Sequence, residues 1–188
     1  MDLNITPADK RELLRLARQT IARGCTHGEP PAVDIDNQPE ALKQTLACFV
    51  TLQKQGELRG CVGSLNAYRT LIEDVVHNAF ASAFRDHRFQ PVAEDELADI
   101  KIEISILSPM ELIPVNTEQE LLKAMIPGKD GIYLQSTQYS ATFLPQVWEQ
   151  LSEPREFLAH LKRKAGLDAN QWPENMSCYR YQCLKLKE

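Results

Sequence analysis

The sequence has no apolar run long enough to span a bilayer. Its first residues, Met1-Asp2-Leu3-Asn4, carry neither the basic nor the apolar region of a secretory signal. Both absences lead to the expectation of a cytosolic protein. No CxxC pair occurs. The five cysteines, Cys25, Cys48, Cys61, Cys178 and Cys183, are odd in number, which in that compartment means free thiols rather than a disulfide framework. Cys178 and Cys183, five apart on one expected strand, would point to opposite faces and make a poor zinc pair. Cys25 and His27 find no further ligands, so no metal centre is expected. Positive charge is also scarce: 21 Lys and Arg stand against 26 Asp and Glu, a net charge of −5, which argues against a nucleic-acid-binding surface. No repeat, low-complexity tract or clean linker divides the 188 residues, which suit one domain, or one domain of two lobes, with a sizeable core.

Several helices announce themselves by their ends. Thr6 is a good N-cap with Pro7 at the first helical position, and Gly24 is a natural stop. Leu13, Leu14, Ala17 and Ile21 form its apolar face, while Arg11, Arg15 and Arg18 suit a solvated face better than an anion site. Cys25 to Glu40, with Pro30, Pro31 and Pro39, reads as a long irregular segment, a lid or a surface connection. Thr70-Leu71-Ile72-Glu73 is a capping box opening a helix to about Arg85. Its stripe is Ile72, Val75, Val76, Ala79, Phe80, Ala83 and Phe84, with Glu73, Asp74, His77, Asn78 and Arg85 outside it. A second capping box, Thr117 to Glu120, opens a short helix, and Ser152 caps another that ends at Gly166.

Ile100 to Ile106 alternates as a half-buried strand should. Gly131 to Gln135 and Tyr139 to Leu144 make a hairpin, and Ser177 to Leu186 a last strand in the main sheet. Pro127-Gly128-Lys129-Asp130-Gly131 has glycines and a lysine but not P-loop spacing, and reads as a turn. Antiparallel hairpins interspersed with helices give an α+β class, an antiparallel sheet flanked by helices.

The stretch that carries chemistry is Gly56 to Leu65, the second strand of a hairpin whose first strand is Ala47 to Leu52. Strand alternation puts Arg59, Cys61, Gly63 and Leu65 on one face and Leu58, Gly60, Val62 and Ser64 on the other. Glycine weakens a strand interior unless the strand bulges or something comes close, so Gly60 and Gly63 mark a close approach. An arginine two residues before a cysteine on one face favours the reactive thiolate. His77 is a conceivable base for Cys61, and a surface histidine otherwise.

Leu58-Arg59-Gly60-Cys61-Val62-Gly63 closely resembles the LRGCIG signature of the AMMECR domain family, whose prokaryotic members are AmmeMemoRadiSam system protein A. The resemblance continues through Phe49 to Leu52, Asp86-His87-Arg88-Phe89-Gln90-Pro91, Glu103-Ile104-Ser105, Pro127 to Gly131, Thr142 to Trp148 and Lys164-Ala165-Gly166, in the family's order. The family usually has proline where this chain has His87. The resemblance implies a single AMMECR domain over residues 1–188, with a larger and a smaller lobe and a cleft near the motif. It implies company with a Memo-like protein and a radical SAM protein, and no iron–sulfur chemistry of its own, since the chain lacks CxxxCxxC. No cofactor is identified. Two functional readings stay open. One is a partner or carrier that binds a ligand or protein at Arg59, Gly60, Gly63, Asp86 and Arg88. The other is an enzyme with Cys61 as catalytic nucleophile. For Asp86 and Arg88 a structural reading, a pair that clamps the loop after the helix with Phe89 packed beneath, is preferred to one in which Arg88 meets an anionic ligand. The glycine spacing of the motif also resembles a KH-domain loop, but it lies in a strand and the chain is acidic.

Overall fold

The computed structural model describes residues 3–188, so Met1 and Asp2, read above as part of a chain start without a signal, lie outside it. The chain forms two compact units, one from the residues up to Ser108 together with Leu184–Glu188, the other from Pro109–Cys183. Each has its own antiparallel sheet and its own apolar core, which bears out the α+β class with helix-flanked antiparallel sheets.

In the first unit, α1 spans Pro7–His27, longer than the glycine signal suggests. Thr6 caps it through a reciprocal box with Asp9, and the stop is Gly28, left-handed at φ 73°. Gly24 instead lies inside the helix, because a Cβ there would come within 2.1 Å of the Phe84 ring. It is a crossing point, not an end. Cys25 and His27 therefore belong to a helix. Cys25 sits against Val92 O at 3.5 Å, and burial, then the charges of Glu94 and Glu96, push its thiol up. Arg18 is only partly solvated, with 31% of its side chain exposed. It donates to Leu97 O and Ile100 O at 2.6 Å and pairs with Glu188.

After a short α2 (Glu40–Lys43) come β1 (Cys48–Lys54) and β2 (Glu57–Gly63), joined by Gln55 and Gly56. Both joining residues have positive φ, 54° and 85°, as a tight two-residue hairpin turn requires. Then follow α3 (Leu71–Phe84) and β3 (Ile100–Leu107). With β8 (Cys183–Lys187) they give a sheet of order β2-β1-β3-β8. Leu13, Ala17 and Ile21 of α1 and Val75, Ala79 and Ala83 of α3 bury against Val50, Leu52, Ile102, Ile104 and Ile106 of the sheet. Each fully buried branched side chain contributes about 2 kcal/mol.

In the second unit, β4 (Glu111–Ile113), α4 (Glu118–Ala124), β5 (Gly131–Gln135), β6 (Ser140–Phe143), α5 (Pro154–Ala165) and β7 (Ser177–Tyr181) build a sheet of order β4-β7-β5-β6. Thr117 caps α4 as its box predicts. At α5 the cap is Glu153, without a side-chain bond, rather than Ser152. Trp148 stacks on Phe157 at 3.8 Å and donates to Asp130 O at 2.7 Å. In the Pro127 to Gly131 loop, the Lys129 and Asp130 N–H groups both turn onto Ile126 O, so they are spent on the turn and not offered to a phosphate. The expected last strand is in fact two. β7 belongs to one sheet and β8 to the other, so Cys178 and Cys183 lie in different strands. Among the described residues no helix is long and apolar enough to cross a membrane, and no three His, Cys, Asp or Glu side chains converge on a metal position.

Candidate functional site at the edge strand

The motif occupies β2, the edge strand of the first sheet. Its pairing with β1 runs Gly63 to Phe49, Val62 to Val50, Cys61 to Thr51 and Gly60 to Leu52, then slips so that Leu58 faces Gln53. Arg59 is the extra residue of a bulge, and a bulge breaks the two-residue alternation. The expectation that Arg59 and Cys61 share a face therefore fails. Arg59 reaches Glu96, donating from Nε at 3.1 Å and Nη2 at 2.8 Å. Lys54, on the same side of β1 as Val50 and Leu52, donates to that carboxylate at 2.9 Å. Cys61 lies on the other side with Thr51, whose hydroxyl donates to Sγ at 3.4 Å. The guanidinium intended for the thiol is committed to a carboxylate.

Both glycines are explained by packing. A Cβ on Gly60 would stand 2.2 Å from Ser82 O in α3, and one on Gly63 would stand 2.3 Å from the Phe49 ring. They let a helix and an aromatic ring come close.

Asp86 and Arg88 act on the backbone of Cys61. Asp86 Oδ2 accepts from the Cys61 N–H at 2.9 Å. Arg88 Nη2 donates to Cys61 O at 3.2 Å and to Asp86 Oδ2 at 2.7 Å, while Arg88 Nε donates to Asp86 Oδ1 at 2.9 Å. The Arg88 pairing, helped by the Cys61 and Arg88 N–H bonds, holds the Asp86 carboxyl well below the usual range. The Asp86 side chain is 7% exposed and that of Arg88 57%. These two residues clamp a strand, with one cation left partly open to solvent. Among the described residues no hydrogen bond joins His77 to Cys61, whose Sγ meets Thr51 instead. His77 is exposed on α3, and burial and then Arg69 lower its pKa.

What the sequence reading missed is a polar line on α3. Asp74, Asn78 and Ser82, assigned outside the stripe or not assigned, are each about 1% exposed. Asp74 accepts from the Cys48 N–H at 2.8 Å, from Asn78 at 2.9 Å and from Ser64 at 3.1 Å, and pairs with Arg69 Nε at 3.1 Å. Asn78 donates to Cys48 O at 3.0 Å. The Ser82 hydroxyl accepts from the Val62 N–H at 2.8 Å and donates to Val50 O at 2.7 Å, bridging the two strands. The available signal was the i, i+4, i+8 spacing of three short polar residues in an otherwise apolar helix.

Glu96, central to the Arg59 anchor, has its carboxyl lowered from 4.5 to about 2, chiefly by Arg59 and against desolvation. A folded-state pKa below the unfolded one contributes stability that is complete above about pH 4.5 and drains away as pH falls towards 2. The wild type should therefore lose about 1–2 kcal/mol through this group between pH 6 and pH 3, allowing for its partial exposure. Urea midpoints across that range should show a shallower slope in Glu96→Gln, and an unchanged slope would remove Glu96 as the source.

The AMMECR1 family model matches residues 14–186. Protein MJ0810 of Methanocaldococcus jannaschii is 37% identical over 158 residues, covering 82% of this chain and 79% of its own length. A Thermococcus onnurineus protein is 37% identical over 183 residues, covering 90% and 85%. The crystal structure of the uncharacterized protein PH0010 from Pyrococcus horikoshii superimposes with a TM-score of 0.88 at 32% identity, over 98% of this chain and 93% of that one. By family match, identity and fold alike, this chain belongs to the AMMECR1 family.

Proposed function

We propose that the chain acts as one AMMECR domain and as the binding component of a cytoplasmic AmmeMemoRadiSam system. In this reading Cys61 and its surroundings receive a small ligand or a surface of the Memo-like or radical SAM protein. The observation that carries it is the fixing of Cys61. Its N–H and its C=O are both tied down by Asp86 and Arg88, while its half-buried side chain faces Thr51. A rigidly placed small side chain whose Sγ hydrogen-bonds, among the described residues, to the Thr51 hydroxyl alone suits recognition better than proton transfer. Gly60, Gly63 and Arg59 shape the site from behind, and Arg88 supplies the exposed cation at its rim. The Thr51 hydroxyl donor to Sγ favours the second reading, a cysteine-dependent enzyme with Cys61 as nucleophile.

The test is titration of the full chain against the Memo-like and radical SAM proteins of the same genome. Cys61→Ser should bind like the wild type, and Cys61→Trp at least about tenfold more weakly, the size of one lost interface contact of about 1.4 kcal/mol. Equal binding by Cys61→Trp sinks the docking reading. A pH-dependent alkylation profile in which Cys61 outpaces Cys25 and Cys183 shifts the weight to the nucleophile.

A further inference from the structure

The strand register leads from Cys61 into the sheet. Cys61 pairs with Thr51 and Thr51 with Glu103, so the three side chains form one row across β2, β1 and β3. The row lies on the face turned away from α1 and α3, because the alternate residues Val50, Leu52, Ile102 and Ile104 fill the core. On β8 the core takes Leu184 and Leu186, which turns Lys185 and Lys187 to the face of Glu103. Both approach its carboxylate, Lys187 at 3.0 Å and Lys185 at 3.9 Å. Two residues along β3 from Glu103 stands Lys101. It is exposed, and its ammonium has no ion pair or hydrogen bond among the described residues. On β1, β3 and β8 this face therefore sets three cations against one carboxylate, an excess of two positive charges (three less one) on a chain of net charge −5. Lys101, Lys187 and Glu103, with Gln53, line a groove of about 220 Å³. Its other carboxylate, Glu188, is paired with Arg18. Pockets that enclose a whole small molecule run to about 300–1,000 Å³, so this groove has the size of a head-group site.

We propose that this groove is the anion subsite of the ligand that meets Cys61. That ligand is a small molecule whose carboxylate or phosphate sits between Lys101 and Lys187 and whose other end reaches the thiol over Thr51. The inference rests on the reading of Cys61 as the receiving position. Strands about 4.8 Å apart, with residues about 3.4 Å apart along them, put Cys61 and Lys101 about 12 Å from each other across the sheet, which a small molecule spans. Gln53, in register with Lys101, offers an amide donor and acceptor along the way. Lys187 carries three N–H donors, so it serves Glu103 and an anion together.

The experiment labels the full chain with maleimidohexanoic acid and with its methyl ester, which differ in charge but not in reach, and follows each cysteine by mass spectrometry. At low salt the acid should modify Cys61 about threefold faster than the ester, or more, the scale of one or two exposed ion pairs. Cys25 on α1 is the internal control and should show no acid preference. In Lys101→Gln/Lys187→Gln the preference at Cys61 should vanish while the ester rate stays unchanged. Equal acid and ester rates at Cys61 in the wild type, or a preference that survives the double substitution, overturn the proposal and leave the docking reading standing. A Cys61 that neither reagent reaches in the folded chain removes the receiving position and overturns both. If the double variant does not fold, Lys101→Gln decides by the same ratio. Inorganic phosphate and acetate, each added at matched ionic strength, then distinguish the head groups. The one that slows the acid more identifies the class, and slowing by neither overturns the proposal.

Discussion

Gly60→Ala is expected to cost about 4 kcal/mol or to prevent folding, although it adds a single methyl group to a strand. The new Cβ would stand 2.2 Å from Ser82 O and 3.1 Å from Ser82 C. These are backbone atoms in the last turn of a helix already packed against α1 and the sheet, so they cannot rotate away as a side chain could. Relief requires β2 and α3 to separate by about 1 Å, since real contacts of this kind begin near 3.0 Å or beyond. That movement stretches the Val62 N–H bond to Ser82 and the Cys61 N–H bond to Asp86, now 2.8 Å and 2.9 Å. Overpacking typically costs 1–3 kcal/mol, and weakening two partly buried hydrogen bonds adds about 1 kcal/mol or more. Gly56→Ala is the comparison. Gly56 sits at φ 85° with nothing within 4 Å of a Cβ, so only the backbone preference is lost, about 1 kcal/mol. Urea unfolding of the two variants should rank them in that order. A Gly60→Ala midpoint as close to wild type as that of Gly56→Ala would show that β2 and α3 are not in rigid contact.

The second large effect should come from Asp74→Ala, at about 3–5 kcal/mol, the range for breaking a buried ionic network by removing one partner. Asp74 is 1% exposed and joins four groups from three parts of the unit: the Cys48 N–H of β1, Ser64 after β2, and Arg69 and Asn78 around α3 itself. Truncation orphans the Cys48 N–H and strands Arg69, whose side chain is 18% exposed, without its anion. Asp74→Asn keeps an acceptor for the Cys48 N–H but loses the charge, so it should fall between Ala and wild type. Thermal unfolding of the three proteins checks the order. If Asp74→Asn and Asp74→Ala lose the same amount, the charge carries the whole effect and the backbone bond carries none.

Asp74 also shows where reading a helix by its apolar stripe stops. The stripe of α3 is real, with Ile72, Val75 and Ala79 fully buried. The residues assigned outside it divide, however. His77 is exposed, while Asp74 and Asn78 are buried as deeply as the stripe. Hydrophobicity separates core from solvent but does not reveal that a polar side chain is buried because a strand N–H needs it. Gly24 and Gly60 make the same point for glycine. Both stood out in the sequence, one as a stop and one as a close approach. Only the packed structure supplies the partners, Phe84 and Ser82 O.

Local chemistry was determined by the sequence alone. The caps at Thr6, Thr70 and Thr117, the hairpin around Gln55 and Gly56, the half-buried β3, the α+β class and the family follow from residue types at short spacing. These are decided within one turn or one strand, where sequence neighbours are spatial neighbours. The tertiary structure alone decided three things. The bulge at Arg59 turned that side chain from Cys61 to Glu96, 37 residues away. The run from Ser177 was divided between two sheets. Asp86 and Arg88, 25 and 27 residues beyond Cys61, were set on its backbone. Each depends on which distant group offers a charge or a hydrogen bond once the chain has closed on itself, and no local pattern carries that information.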